Sequence, residues 1–212
     1  MPLLPMLIEP EQLQEKLQNS KLLIVDLCTE QNYAEGHIPN ALHVPPARLL
    51  CGQQPYPGKL PSLEQLEELF SEIGLSPDTH VVAYDDEGGG WAGRLIWTLD
   101  VIGHSNSSYL NGGIHAWRSA GMTQSTTAET RQPTQQNITI NSDYIAEIKD
   151  ILPRLGQKDM AIWDARSPLE YSGEKVLAAK GGHIPGAINC EWTSLMDSKR
   201  DLRIREDAEQ RL

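Results

Sequence analysis

The stretch Leu22–Ala41 reads LLIVDLCTEQNYAEGHIPNA, and the stretch Ala161–Asn189 reads AIWDARSPLEYSGEKVLAAKGGHIPGAIN. Each begins with apolar residues that lead to an aspartate, continues to a tyrosine, and reaches the tetrapeptide Gly-His-Ile-Pro. The aspartate and the tyrosine recur after 138 residues and the histidine after 146 residues, as Asp26 and Asp164, Tyr33 and Tyr171, and His37 and His183. We therefore predict two copies of one structural unit, the second with eight extra residues between its tyrosine and its histidine.

Strand-like and helix-like patterns alternate along the first copy. Leu22–Leu27 and Val81–Tyr84 are short, mainly apolar runs that are typical of strands covered on both faces. Ser62–Gly74 carries apolar residues at helical spacing behind a candidate N-cap, and Trp91–Ile102 is an apolar helical segment. This alternation predicts an α/β fold, with a central, mostly parallel sheet flanked by helices in each unit.

The two copies are separated by a stretch with the composition of a linker. Residues 122–137, MTQSTTAETRQPTQQN, are rich in threonine, glutamine and serine and hold Met122 and Ala128 as their aliphatic residues. We assign residues 1–121 to a first domain, 122–137 to a linker, and 138–212 to the N-terminal part of a second domain.

Helices are also expected in three other segments. They are Glu9–Gln18, the isoleucine-spaced stretch from the candidate cap Ser142 to Leu155, and the charged stretch from Asp197 onward. The five tryptophans are expected to pack in the core or at a domain interface.

The charge balance restricts the partners. Eighteen Lys and Arg residues against 29 Asp and Glu residues give a net charge of −11, which disfavours a nucleic acid or an anionic membrane as a partner. The first residues lack the basic region of a signal peptide, and no apolar run approaches the roughly 18 residues of a membrane span. Three cysteines without Cys-x-x-Cys spacing favour neither a disulfide framework nor a metal site. We expect a cytoplasmic protein.

Five motifs in order resemble the two-domain rhodaneses, which are sulfurtransferases built of two similar α/β units. The motifs are Val25–Asp26 with Gly36–Pro39, Val82–Asp85, Leu110–Trp117, Asp164–Pro168 with Glu170–Tyr171, and Gly182–Ala187. Asp85–Arg94 and Ser172–Ala187 resemble a bacterial subgroup of thiosulfate sulfurtransferases in particular. The resemblance covers essentially the whole chain and implies tandem rhodanese-like domains.

The resemblance also implies the chemistry. A cysteine in the second unit takes a sulfane sulfur from a small anionic donor, either thiosulfate or, in sister enzymes, 3-mercaptopyruvate. It passes that sulfur as a persulfide to cyanide or to a thiol acceptor. The resemblance leaves open which donor is preferred. No cofactor is implied, and the intact protein is expected to be a monomer.

The position of the catalytic cysteine follows from the repeat. In the family it lies on the loop between a central strand and the next helix, and in the first copy that loop begins at Asp85, 59 residues after Asp26. The same spacing from Asp164, with the eight-residue insertion, gives a position near 231, beyond Leu212. The sequence therefore predicts that the 212 residues lack the nucleophile loop and are inactive alone.

The corresponding loop of the first copy carries Asp85, Asp86 and Glu87. Three carboxylates repel an anionic donor and cannot carry a persulfide, so we predict a degenerate site in an inactive domain. Residues 88–90 are glycines before a helix and could form an anion-binding nest, but the neighbouring carboxylates argue against that use.

Arg166 is the predicted substrate-binding residue. It stands in Asp-Ala-Arg at the end of a strand, and in the two-domain rhodaneses the arginine of this motif anchors the anionic donor. The alternative is a salt bridge to Asp164 or Glu170. His37 and His183 are expected to brace their turns rather than to act as acids or bases.

A second function is consistent with the same residues. A non-catalytic rhodanese-like binding module could dock on a partner through the acidic loop Asp85–Glu87.

Overall fold

The computed structural model describes residues 2–211. Two compact units divide the chain: unit 1 comprises the residues up to Tyr144 together with Ser198–Arg203, and unit 2 comprises Ile145–Asp197 with the residues from Ile204 onward. The domain boundaries drawn from the repeat stay a prediction, because a repeat and a compact unit are defined differently.

Between residues 2 and 121, unit 1 has five strands and five helices. The strands are β1 (Leu7–Ile8), β2 (Leu22–Asp26), β3 (Ala41–His43), β4 (His80–Tyr84) and β5 (Ser107–Leu110). The helices are α1 (Pro10–Gln14), α2 (Glu30–Glu35), α3 (Leu63–Glu72), α4 (Gly90–Val101) and α5 (Gly113–Ser119), with a 3₁₀ turn at Pro46–Leu49.

The strands form one parallel sheet in the order β1-β5-β4-β2-β3. All residues of β2 and β4 are buried, because helices and apolar clusters cover both faces of the sheet. Asp26 is in register with His43 and with Tyr84, so the ends of three strands meet at one edge. The predicted α/β fold with a parallel sheet flanked by helices is confirmed.

Local signals fix some boundaries and miss others. Ser62 caps α3 as predicted: its hydroxyl accepts from the Gln65 N–H at 3.3 Å, and the Gln65 side chain accepts from the Ser62 N–H at 2.8 Å. The helix predicted over Glu9–Gln18 ends at Gln14, and the Asn19 side chain turns the chain into β2 by accepting from the Lys21 N–H at 2.9 Å.

Residues 122–137 lie on unit 1. Ser125 and His37 exchange backbone hydrogen bonds of 2.8 and 2.9 Å, Arg131 donates to the Leu22 carbonyl at 3.2 Å, and the Thr134 N–H donates to Ser71 at 3.0 Å. A polar stretch can therefore be ordered along a domain surface when its backbone finds partners there.

The second repeat has short elements. They are α6 (Ile148–Ile151), β6 (Trp163–Asp164), α7 (Pro168–Ser172), β7 (Ile188–Asn189), β8 (Met196–Asp197), β9 (Arg203–Ile204) and α8 (Ala208–Arg211), with 3₁₀ turns at Ser142–Tyr144, Leu152–Arg154 and Trp192–Leu195. The single helix predicted from Ser142 to Leu155 is wrong, since Pro153 lacks the N–H that a continuous helix needs. The charged stretch from Asp197 contains β9 before its helix.

Strands β6 and β7 are parallel and correspond to β2 and β3. Trp163 is 51% exposed and Ile188 is 69% exposed, because few described side chains cover this pair. Of the two places expected for the tryptophans, the core is therefore wrong for Trp163, whereas Trp117 is fully buried. A domain interface for Trp163 stays a prediction. Along residues 2–211, no helix has both the length and the apolar character that spanning a bilayer requires.

A buried imidazole lies at the start of β4. His80 Nε2 lies 2.7 Å from Ser108 Oγ, and that hydroxyl already donates to the Pro5 carbonyl at 2.6 Å, so the imidazole is the donor. His80 Nδ1 has no partner among residues 2–211. Burial lowers the pKa of His80 and of His104, and for His80 the charge of His104 adds to the effect.

We predict that unit 1 loses stability as the pH falls below about 6.5, the usual histidine value. Because the folded-state pKa values of His80 and His104 are lowered, the unfolded chain takes up protons first and is favoured. His80→Gln keeps a donor for Ser108 without a titrating group. Urea unfolding measures the free energy of unfolding at about pH 7 and at about pH 5, and its decrease between the two should be smaller for His80→Gln than for the unmodified chain. Equal decreases would show that His80 does not contribute to the pH dependence.

Candidate functional site

The turn after the first strand of each repeat is fixed by the same hydrogen bond. Asp26 Oδ1 accepts from the Cys28 N–H at 2.7 Å, and Asp164 Oδ1 accepts from the Arg166 N–H at 3.1 Å. Both aspartates end their strands. The residue two positions on is thereby held at the carboxyl edge of the sheet, where parallel sheets bind ligands.

A tyrosine and a histidine stack in each repeat. The ring centroids of Tyr33 and His37 are 3.8 Å apart, and those of Tyr171 and His183 are 3.7 Å apart. In both repeats His Nδ1 lies 2.8 Å from the carbonyl of the stacked tyrosine, and since a carbonyl only accepts, Nδ1 carries the proton. The histidines brace their turns, as the sequence predicts.

Arg166 is oriented by two neighbours. Its Nε donates to Asp164 Oδ1 at 2.9 Å, and its Nη2 donates to Asp164 Oδ2 at 2.5 Å and to the Gly182 carbonyl at 2.9 Å. Arg166 lowers the pKa of the Asp164 carboxyl, and Asp164 raises the pKa of the guanidinium. The salt bridge that the sequence left as an alternative is therefore present with Asp164, whereas the Glu170 carboxylate accepts from Ser167 at 2.7 Å.

The same salt bridge leaves part of Arg166 available. Its side chain is 46% exposed, and Nη1 makes no hydrogen bond to residues 2–211. A guanidinium that is held on one edge and open on the other is suited to bind an anion.

Arg166 lines a cleft of about 570 Å³ in unit 2. The cleft also includes Lys180 and His183, with apolar walls from Ile162 and Ile184. Lys180 was not singled out from the sequence; the available signal was its place in the eight-residue insertion of the second repeat. The cleft thus combines two cations with one carboxylate, that of Asp164, which Arg166 already engages.

The corresponding turn of unit 1, residues 26–29 of the described chain, contains no lysine, arginine or histidine. Cys28 occupies the place of Arg166 and is fully buried, and burial, followed by the charge of Asp26, raises the pKa of its thiol. Asp26 is also fully buried; its carboxylate accepts from the Tyr84 hydroxyl, and burial raises its pKa. This turn is closed to an anionic ligand.

The loop after β4 forms an anion-binding nest that its own first residue fills. Asp85 Oδ1 accepts from the N–H groups of Glu87 and Gly89 at 3.0 and 2.8 Å. Asp85 Oδ2 accepts from those of Trp91 and Ala92, both at 2.9 Å. The nest is therefore present, and Asp85 is itself the anion that the N-terminus of α4 holds. That this loop is a degenerate site stays a prediction.

The other two carboxylates of this loop face different surroundings. Asp86 accepts from Asn32 Nδ2, and its carbonyl lies 2.9 Å from His115 Nε2. Glu87 is exposed, and partial burial followed by the charges of Asp85 and Asp86 raises its pKa. No pattern in the sequence indicates Asn32, because its contact with Asp86 joins residues 54 positions apart.

The remaining thiols lie outside any such nest. The Cys190 N–H donates to the Asp164 carbonyl at 3.1 Å, just as the Val44 N–H donates to Asp26 at 2.9 Å, so Cys190 holds the position of a core valine. Cys51 donates from Sγ to the Tyr56 carbonyl at 3.3 Å.

We predict that Asp85→Asn destabilises unit 1 by about 2 kcal/mol, because an amide presents N–H groups where two backbone donors need an acceptor. Glu87→Gln removes the same charge from an exposed position and should change stability by less than about 0.5 kcal/mol. Urea denaturation of both variants measures the difference. Equal effects would show that the nest does not depend on Asp85.

Comparisons with known proteins cover most of the chain. The model of the Rhodanese-like domain matches residues 9–120 and 147–211. The thiosulfate sulfurtransferase of Azotobacter vinelandii is 53% identical over 209 residues, which are 99% of this chain and 77% of that protein. The thiosulfate sulfurtransferase of Pseudomonas aeruginosa is 51% identical, over 96% of this chain and 75% of that protein.

Solved structures give the same result. The crystal structure of SseA from Escherichia coli, described as a 3-mercaptopyruvate sulfotransferase, has a TM-score of 0.85 at 26% identity and covers 97% of this chain and 81% of that chain. Together with the duplicated turns and the matched family model, these relatives show that the chain belongs to the rhodanese family.

Proposed function

We propose that this chain belongs to a thiosulfate sulfurtransferase in which Arg166 anchors the sulfur donor. The observation that carries the proposal is the orientation of Arg166, which lines a cleft, by Asp164 and Gly182 through Nε and Nη2, with no hydrogen bond from Nη1 to residues 2–211. The two relatives that are 53% and 51% identical are thiosulfate sulfurtransferases, which favours thiosulfate as the donor.

The proposed reaction has two steps. A cysteine thiolate attacks the outer sulfur of thiosulfate; a new sulfur–sulfur bond forms, and the old one breaks as sulfite leaves with the electron pair. Cyanide or a thiolate then attacks the persulfide, takes the outer sulfur and releases the cysteine thiolate. Arg166 holds the sulfonate oxygens and stabilises the charge that develops on sulfite.

We further propose that none of the three cysteines of this chain carries the sulfur. Cys28 is fully buried, and its raised pKa keeps the thiol protonated. Cys190 follows β7 at the position that Val44 has after β3. Cys51 lies in a loop, where its Sγ donates to the Tyr56 carbonyl. With none of its cysteines as the sulfur carrier, the 212-residue chain is expected to show no turnover alone.

The binding-module hypothesis finds less support. Asp85 is 1% exposed and is held by four backbone donors, and Asp86 is engaged by Asn32. Of the three carboxylates proposed for docking, Glu87 alone is exposed. The cytoplasmic location and the monomeric state stay predictions from the sequence.

The test is thiosulfate:cyanide sulfur transfer by protein purified at its native length. We expect Arg166→Gln to lower kcat/KM for thiosulfate roughly 10- to 100-fold, the value of one or two charged hydrogen bonds. Arg166→Lys keeps the positive charge but lacks the planar guanidinium that can donate two parallel hydrogen bonds, so its kcat/KM should lie between those of the unmodified protein and Arg166→Gln. Arg154→Gln breaks an exposed ion pair with Asp159 in the same unit and should change the rate by less than about twofold.

Mass spectrometry of the same samples locates the transferred sulfur. After treatment with thiosulfate alone, Cys28, Cys51 and Cys190 should gain no sulfur atom. A cyanide-removable sulfur on any of them, or undiminished turnover by Arg166→Gln, would contradict the proposal.

A further inference from the structure

The insertion of the second repeat forms a loop whose two ends touch. A Cβ atom added to Gly173 would lie 2.9 Å from the Gly182 nitrogen, and one added to Gly181 would lie 3.1 Å from the Gly173 carbonyl oxygen. Gly173 also has φ +89°, in the left-handed region that favours glycine. We call Gly173–Gly182 the insertion loop; its glycines allow a close approach that larger residues would prevent.

The insertion loop is fastened to the donor-binding arginine. The Gly182 carbonyl accepts from Arg166 Nη2 at 2.9 Å, and the Lys175 N–H anchors the other limb by donating to the Leu169 carbonyl at 2.9 Å. Lys180 is two residues from Gly182 and lines the same cleft as Arg166. Its backbone is therefore positioned by the arginine and by the contact between the ends of the loop.

The charge of Lys180 is uncompensated by the part of the chain that the structure describes. Its ammonium makes no ion pair or hydrogen bond within residues 2–211. Asp164, the carboxylate that lines the cleft, is engaged on both oxygens by Arg166. Glu174, in the same loop, accepts from Ser172 at 3.2 Å.

We propose that Lys180 is the second cation of the donor site and determines its preference for a doubly charged donor. This inference rests on the proposed function of Arg166. Thiosulfate carries two negative charges, whereas 3-mercaptopyruvate carries one on its carboxylate at neutral pH. Because Coulomb attraction scales with the product of the charges, a second cation favours the dianion over the monoanion. Unit 1 lacks both the insertion loop and the arginine.

The test is calorimetric titration of the 212-residue chain with thiosulfate and, separately, with 3-mercaptopyruvate. Lys180→Gln should weaken thiosulfate binding about tenfold and 3-mercaptopyruvate binding about threefold, and should reduce the salt dependence of thiosulfate binding. Lys180→Arg should restore thiosulfate binding to within about twofold. Lys175→Gln removes the same charge from the same loop outside the cleft and should leave both affinities within about twofold.

The outcomes separate this proposal from the one on which it rests. If Arg166→Gln abolishes thiosulfate binding and Lys180→Gln does not change it, Lys180 is not part of the site and the proposed function stands. If Lys180→Gln weakens both donors equally, its role in preference is overturned. If the unmodified chain binds no thiosulfate, both proposals are overturned. Matched thermal unfolding of the variants checks that Lys180→Gln leaves unit 2 folded.

Discussion

One hydrogen bond at the end of a strand supports the site in each repeat. The strand-end aspartate accepts the N–H of the residue two positions on, Cys28 in unit 1 and Arg166 in unit 2. The turn that it fixes decides which side chain is presented at the carboxyl edge of the sheet. The tyrosine–histidine stack then closes the following turn in the same way in both repeats. With this backbone frame shared, the chemical difference between the repeats lies in the side chains that it carries.

Unit 1 satisfies the polar groups of its edge from within. The Asp26 carboxylate accepts from Tyr84, and Asp85 fills the nest at the start of α4 with four hydrogen bonds. A free anion cannot readily displace the Asp85 carboxylate from this nest. A free anion loses translational freedom when it binds, whereas a carboxylate that is part of the chain does not. Unit 2 keeps Arg166 and Lys180 beside one cleft, with the arginine held by Asp164 and open on its other edge. We propose that the first unit serves as a scaffold and that the second carries the donor site.

The sequence predicted those features that depend on local pattern. Strands β2 and β4, the Ser62 cap and the bracing histidines follow from apolar runs, from capping spacing and from the repeat itself. The features that it missed depend on contacts between distant residues. The partner of Asp86 is Asn32, 54 positions away, and the nest around Asp85 depends on where α4 begins. Trp163 is exposed because the cover of its strand is sparse, which no pattern within the strand reveals. The proposed role of Lys180 depends on the contact between the two ends of the insertion loop, which the sequence does not predict.

The most direct test is a backbone-amide NMR map of thiosulfate binding to the isotope-labelled chain. If the donor site lies in the second repeat alone, the amide signals that shift should be those of residues 164–167 and 180–184, which surround Arg166 and Lys180. The amides of residues 85–92 and of Cys28 should stay in place, because the nest is occupied and that turn is closed. Saturable shifts within residues 85–92 would contradict this account, since they would place the anion in unit 1.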